Sequence, residues 1–388
     1  MMIDTIVLTL QADQFRVIKP EKFKPNAKTI LGLGNNLSRS ESHLKAVCNP
    51  TKADASQGLY MPRMTLNGRI DSGGRYSITL RVECSLPKLI YGNNFDELTT
   101  ADFERVLDTL SDRMACQGVI TAFHDLKYAE TSAVHYSKNI LLGEGMACSS
   151  VLHTLAKVNI NGWLDVAKTD YRNGGHLYKI HSNDFELAFY DKVKDLEKAQ
   201  KSPKRAYEDD VTIQQSLLKQ TDLDRKKQVL RMEARFGSRR KIREVMERLQ
   251  PKAMAGTALK FEALFSESLS QQVLWHYWKP YQASVPIITA SAGKSTVDLY
   301  QQVLIAKPNA KDNQILKLVA AYTIIDEIGW AGFKSLWKST DRSLSRLRKD
   351  VQELKLASSV AVLGFEQIER ALCQFQPLRL AMLEAKGK

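Results

Sequence analysis

DFELAFYDK, residues 184–192, alternates without a break: Phe185, Leu187 and Phe189 fall on one face of an extended chain, and Glu186, Ala188, Tyr190 and Lys192 on the other, because residues two apart on a strand share a face. Such period-two alternation reads as a half-buried strand. Three further segments read the same way. In YSITLRVEC (76–84), Ile78, Leu80, Val82 and Cys84 oppose Thr79, Arg81 and Glu83. In VLRMEARF (229–236), Leu230, Met232, Ala234 and Phe236 oppose Arg231, Glu233 and Arg235. Asp4 to Leu10 is a strand at the start of the chain, and Ser132 to Tyr136, which contains His135, is a weaker member of the set.

Helices are expected between and after the strands. TTADFE opens one over Thr100 to Gln117, with Phe103, Val106, Leu107 and Leu110 at helical spacing. Asp191 to Gln200 turns helical and charged, SPKRA (202–206) breaks it, and a second polar helix is expected near Val211 to Gln220. The basic cluster Arg225, Lys226 and Lys227 closes this hairpin, which reads most simply as a solvated excursion. After Pro286 the chain becomes mostly helical. Residues 313–354 form three helices broken near Gly329 and Ser339, the last capped by Ser339 or Thr340 and carrying Arg342, Arg346, Arg348 and Lys349. A helix-turn-helix with a basic third helix and a plain helical bundle both fit this pattern. The expectation is an α+β fold: a twisted, largely antiparallel sheet with flanking helices over residues 1–285, then a helical C-terminal domain over residues 286–388.

The chain has 388 residues, and 56 Lys and Arg against 43 Asp and Glu give a net charge of +13. Such an excess makes a polyanion, nucleic acid first, the partner to consider. The five cysteines are scattered and form no CxxC pair, which fits a reducing cytoplasm rather than a zinc site or disulfide frame. No run of about 18 uncharged apolar residues marks a membrane span, and the N-terminus reads as a strand rather than a targeting segment. Walker A, GxSxG, HExxH and paired HxH sequences are all missing. The aromatic residues Trp275, Tyr277, Trp278 and Tyr281 suit base stacking or a core; Leu274, Trp275 and Trp278 share a helical face, which favours the core.

The polar faces of the strands carry the chemistry. If they are neighbours in one sheet, acids, cations and one tyrosine share a surface. An ordinary solvent face of an antiparallel sheet gives the same mixture. The sharper reading is metal-assisted strand transfer on DNA. A phenol with a pKa of about 10 needs help to act as a nucleophile. Lys192, two residues from Tyr190, can lower that pKa or neutralise phosphate charge. Glu83 and Glu233 can hold Mg²⁺ or Mn²⁺, with Arg231 and Arg235 gripping flanking phosphates. Arg81 and the basic run Arg239, Arg240 and Lys241 extend the DNA-binding set. His135 reads as a further metal ligand or a structural histidine, and Asp4 as a ligand or a strand-edge residue.

Taken together, MIDTIVLTL (2–10), RVECSLPKLIYGNNFDELTTADF (81–103), SAVHYSKNILL (132–142), KTDYRNGGHLYKIHSNDFELAFYDKVKDLEK (168–198) and VLRMEARFGSRRKIREV (229–245) resemble the replication initiators of filamentous phages and related plasmids, the gene II/X type. The resemblance covers most of residues 1–275. It implies a site- and strand-specific endonuclease that starts rolling-circle replication, becomes joined to the 5′ phosphate and later closes the displaced strand. The family tyrosine, in its apolar–Tyr–x–Lys context, falls on Tyr190; the Arg–apolar–Glu–Ala–Arg strand falls on Arg231 to Arg235; and the acidic strand falls on Glu83. His135 stands where a well-known member has an aspartate, and an imidazole is not an equivalent hard-oxygen ligand. The implied partners are origin DNA, double- and single-stranded, with a host helicase and polymerase. The number of subunits stays open, a homodimer included. A non-catalytic origin-binding protein or repressor, and a scaffold with a basic surface, are the rival readings.

Overall fold

All of the alternating segments form strands, and all lie in one antiparallel sheet. The computed structural model describes residues 3–32, 43–51, 54, 58–70, 75–143, 146–156, 158, 168–172, 176–199, 227–250, 259–283, 296–354 and 364–383. Numbered along the chain, the nine strands of the sheet are β1 (Ile3–Gln11), β2 (His43–Cys48), β3 (Arg63–Ile70), β4 (Tyr76–Ser85), β5 (Glu130–Leu141), β6 (Lys168–Arg172), β7 (Leu177–His181), β8 (Phe185–Asp191) and β9 (Val229–Phe236). Their spatial order is β2-β3-β4-β1-β5-β9-β8-β7-β6. The strands read from sequence thus occupy the centre, and the outer wings hold strands with weaker alternation. The expected second polar helix near Val211 to Gln220 lies outside the described residues.

The apolar faces all point the same way. Leu80, Val82, Ile6, Leu8, Val134, Tyr136, Met232, Ala234, Leu187 and Phe189 are buried in one core. Helices cover that face: α1 (Leu86–Tyr91), α2 (Phe103–Cys116), α3 (Cys148–Ala156) and, after the last strand, α5 (Arg239–Leu249) and α6 (Glu267–Gln282). The short α4 (Lys192–Ala199) follows β8 directly. The aromatic residues of α6 settle their two readings: Tyr277, Trp278 and Tyr281 are buried in the core, with Trp278 and Tyr281 stacked at 5.5 Å.

Three further helices, α7 (Thr296–Ala306), α8 (Asp312–Leu336) and α9 (Asp341–Glu353), gather a separate core around Leu299, Leu318, Tyr322, Trp330 and Val351. Gly329 breaks α8 with φ 72° and ψ 172°, a conformation that only glycine adopts without strain. Thr340 caps α9 by accepting the Ser343 amide. The final helix, α10 (Phe365–Gln374), packs Phe365, Ile368 and Leu372 into the core of the sheet. Beyond it, Gln376 to Leu383 straps back across the loop after α1. The Leu378 amide donates to Glu97 at 2.8 Å and the Leu380 amide to Asp96 at 2.6 Å, while Leu380 and Leu383 pack on Phe95 and Val229. No helix among the described residues is long and apolar enough to cross a membrane.

Candidate active site

The open face of the central strands brings Tyr190, Glu233, Arg231, Arg235, His135 and Asp4 together. Register explains most of this. Tyr190 sits opposite Arg231 and Ala188 opposite Glu233 across β8 and β9, and Arg235 sits opposite His135 across β9 and β5. Asp4 needs a further device, since its even number would place it with Ile6 and Leu8 in the core. Ile3 pairs with Tyr136 and Thr5 with His135, so Asp4 is an extra residue in β1. A bulge of this kind re-aims a side chain, and Asp4 Oδ1 comes within 3.6 Å of Arg231 Nη2.

The Tyr190 hydroxyl donates to Glu233 Oε2 at 3.0 Å. Arg235 holds the same carboxylate at 2.7 Å with one nitrogen and reaches Glu186 at 2.6 Å with another. Lys179 pairs with the second oxygen of Glu186. Burial pushes the Glu233 carboxyl up, but Arg235, then Arg231 and His135, hold it well below the usual carboxylate range. Burial and the neighbouring Glu233 charge raise the Tyr190 phenol well above its ordinary value. Tyr190 is therefore a protonated donor at neutral pH, and it is only 9% exposed. His135 Nδ1 lies 3.6 Å from Glu233 Oε1. Burial lowers the pKa of its ring, so at neutral pH this contact joins a neutral imidazole to a carboxylate.

Lys192 and Arg231 support the tyrosine from within rather than from solvent. Lys192 opens α4 instead of ending the strand, yet its ammonium lies 5.7 Å from the centre of the Tyr190 ring. It is fully buried, 3.4 Å from Asp195. Burial and then Arg231 lower its pKa to about 8, against partial restoration by Asp195 and Asp4. Arg231 is also fully buried and donates to the Asn94 carbonyl at 2.9 Å. The expectation that it grips a phosphate at the surface does not match that position; its charge acts on Tyr190 from behind. No sequence pattern marked the Asn94 loop, Lys179 or Asp195. Glu186 was visible on the strand face but had no partner to give it meaning.

The four expected metal ligands do not form one site. Glu83 faces Val7 and Arg63 on β4, three strands from β9 and about four residues along, or roughly 20 Å from Glu233 by strand spacing. Glu233 is committed to Tyr190 and Arg235, although Asp4 Oδ1 has no hydrogen-bond partner among the described residues. Among the described residues no three His, Cys, Asp or Glu side chains converge as a metal site would require. Three of the remaining cations of the expected DNA-binding set fall in the first turn of α5 and one on β4. Arg239 pairs with Glu130 at 2.7 Å, Arg240 with Asp184 at 3.0 Å and Lys241 with Glu244 at 2.9 Å, while Arg81 is exposed on β4. Two other tyrosines of the segments that carry the resemblance, Tyr136 and Tyr178, are buried on the opposite, core face, and the side chain of a third, Tyr171, lies outside the described residues.

No curated protein and no solved structure matches the chain. The family model for the N-terminal part of the replication-associated gene II protein of phages matches residues 2–255, which span the whole sheet and every residue of the Tyr190 cluster. With about two thirds of its length in that match, the chain belongs to the family of phage replication-associated proteins of the gene II type.

Proposed function

We propose that this protein starts rolling-circle replication by nicking one strand of origin DNA with Tyr190 and later resealing the displaced strand. The observation that carries the reading is the Tyr190–Glu233 hydrogen bond, set between two guanidinium groups on the open face of the sheet. An entering phosphodiester competes with Glu233 and Glu186 for Arg235, whose Nε has no hydrogen-bond partner among the described residues. The Tyr190 oxygen then bonds to phosphorus as its proton passes to Glu233, and the 3′ oxygen leaves and takes a proton from water. The products are a 5′-phosphotyrosyl protein and a free 3′ hydroxyl. Because the phenol pKa is high and that of Glu233 low, proton transfer must accompany bond formation, with Arg235, Arg231 and Lys192 offsetting the developing charge. A later 3′ hydroxyl attacking the phosphotyrosine reverses the step and closes the strand.

Unwinding and synthesis fall to a host helicase and polymerase, since the chain carries no Walker A sequence. In this reading residues 286–388 assist origin binding through α9, where Arg342, Arg346 and Lys349 are exposed. Dependence on Mg²⁺ or Mn²⁺ belongs to the proposal as a property to be measured; no step above is assigned to an ion. A non-catalytic origin-binding protein or repressor is the second reading, favoured by the burial of Tyr190.

Supercoiled origin DNA with divalent ions separates the two readings. Nicking predicts relaxed circles and protein that stays with the DNA through phenol extraction, with the adduct mapped to Tyr190 by mass spectrometry. Tyr190→Phe is expected to bind the origin but form no adduct; wild-type nicking by that variant would sink the assignment. EDTA is expected to stop the reaction, and its failure to do so would remove the metal from the proposal.

A further inference from the structure

The wing formed by β2, β3 and β4 carries a second feature on the same open face. Lys45, Arg63, Arg69 and Arg81 are all exposed there. They line a shallow concavity of about 580 Å³, interleaved with short hydroxyl and amide side chains such as Thr65, Asn67 and Thr79. Among the described residues none of the four cations makes an ion pair, whereas Arg235, Arg239, Arg240 and Lys241 each do. Glu83 is the single acid among the described residues that line the concavity. Strand pairing sets the spacing: Arg63 faces Glu83, Arg81 faces Thr65, Lys45 faces Asn67 and Arg69 faces His43. Lys45 and Arg69 are therefore diagonal neighbours roughly 7–8 Å apart, and so are Arg63 and Arg81.

We propose that this wing is a phosphate-backbone platform for duplex DNA, separate from the site that handles the cut strand. The inference rests on the reading of the protein as a DNA-nicking initiator and names what its second surface holds. Two observations choose duplex over single strand. Among the described residues no Phe, Tyr or Trp lines the concavity, and single-strand grooves rely on such rings for base stacking. Instead the lining offers cations, hydroxyls and an amide, the groups that contact phosphate and sugar. Scale agrees as well. The cationic rows run over about 20 Å along the strands, enough to meet about six phosphates of one DNA strand at 3.4 Å each. β4 lies four strands from β8 in the sheet, and Glu83 lies about six residues along from the level of Tyr190, so the platform sits roughly 30 Å from Tyr190 by strand spacing and rise.

The test is equilibrium binding of the full chain to duplex and to single-stranded origin oligonucleotides across a salt series. It is run in wild type and in a Lys45→Gln/Arg63→Gln/Arg69→Gln variant. Each lost phosphate contact lowers the slope of log K against log salt by about 0.9. The variant is expected to lose about 2.7 from its duplex slope and at least about tenfold in duplex affinity at roughly 0.15 M salt, with single-strand binding within about twofold of wild type. Glu83→Gln is expected to tighten duplex binding several-fold, which a misfolded variant would not do. An unchanged duplex slope, or an equal loss on single-stranded DNA, overturns the platform. Repeating the series in a Tyr190→Phe background keeps the outcome apart from the chemistry: the platform stands or falls on binding alone, whatever residue cuts.

Discussion

Lys192 offers a perturbation whose effects on stability and on chemistry run in opposite directions. Its ammonium is fully buried and its pKa falls from 10.5 to about 8. At about 1.4 kcal/mol for each tenfold change, holding that charge inside the fold costs roughly 3 kcal/mol. Methionine keeps an unbranched stem of similar length and removes the charge. Lys192→Met is therefore expected to stabilise the protein at pH 7 by about 2–3 kcal/mol, a rise of roughly 5 °C in Tm. The size of this gain depends on pH. Below pH 8 the lysine is charged in both states and the full cost is present. Between pH 8 and 10.5 the unfolded chain holds a proton that the folded chain has released, so wild-type stability rises with pH. Thermal unfolding at pH 7 and pH 10 is expected to show the advantage of Lys192→Met shrinking at the higher pH. Nicking is expected to fall about 10²-fold in the same variant, as when one stabilising donor is lost from a developing anion. Wild-type nicking is expected to decline as pH rises through about 8, and in Lys192→Arg, which stays charged, that decline is expected to vanish. A destabilised Lys192→Met protein, or one equally stabilised at both pH values, would refute the reasoning.

Two further substitutions probe the supports of the fold. Glu97 is fully buried and joins Lys138 at 2.6 Å, the Asn139 amide at 2.6 Å and the Leu378 amide at 2.8 Å, so Glu97→Ala leaves a buried ammonium unpaired and is expected to cost about 3–5 kcal/mol, measured as a lowered urea midpoint. Gly329→Ala forces a methyl-bearing residue to φ 72° and is expected to cost about 1–2 kcal/mol; calorimetry showing no loss would mean that the break in α8 can move.

The central sheet was legible because each of its strands meets only two environments, core and open face. Val229–Phe236 alternates cleanly, and its observed limits coincide with the alternating run. In β2 the inward residues are Ala46 and Cys48, and in β3 one inward position is Gly68, so small side chains hid the period. Strand faces alone put Tyr190, Glu233 and Arg231 on polar sides of their strands; that they lie side by side comes from the pairing of β8 with β9. Neighbouring strands could not be ordered that way, which is why Glu83 was grouped with Glu233 although β1 and β5 lie between their strands. Asp4 reached the site through a one-residue bulge, and no local pattern announces a bulge. Arg231 and Lys192 were expected at the surface because charge normally stays there; the loop that holds Arg231 comes from residues 93–97, beyond the reach of periodicity.

The strap after α10 gives synthesis a say in when the site is finished. Leu378 grips Glu97 across 281 residues of sequence, and Glu97 belongs to the loop whose Asn94 carbonyl holds Arg231 behind the tyrosine. At about 5–20 residues per second, a ribosome needs roughly 15–55 s to travel from that loop to its clasp. Until then the guanidinium behind Tyr190 has an unanchored ceiling, and a growing chain carries every expected site residue without the frame that sets them. On the nicking reading, a chemistry that opens genomes is thereby withheld until the strap has been made.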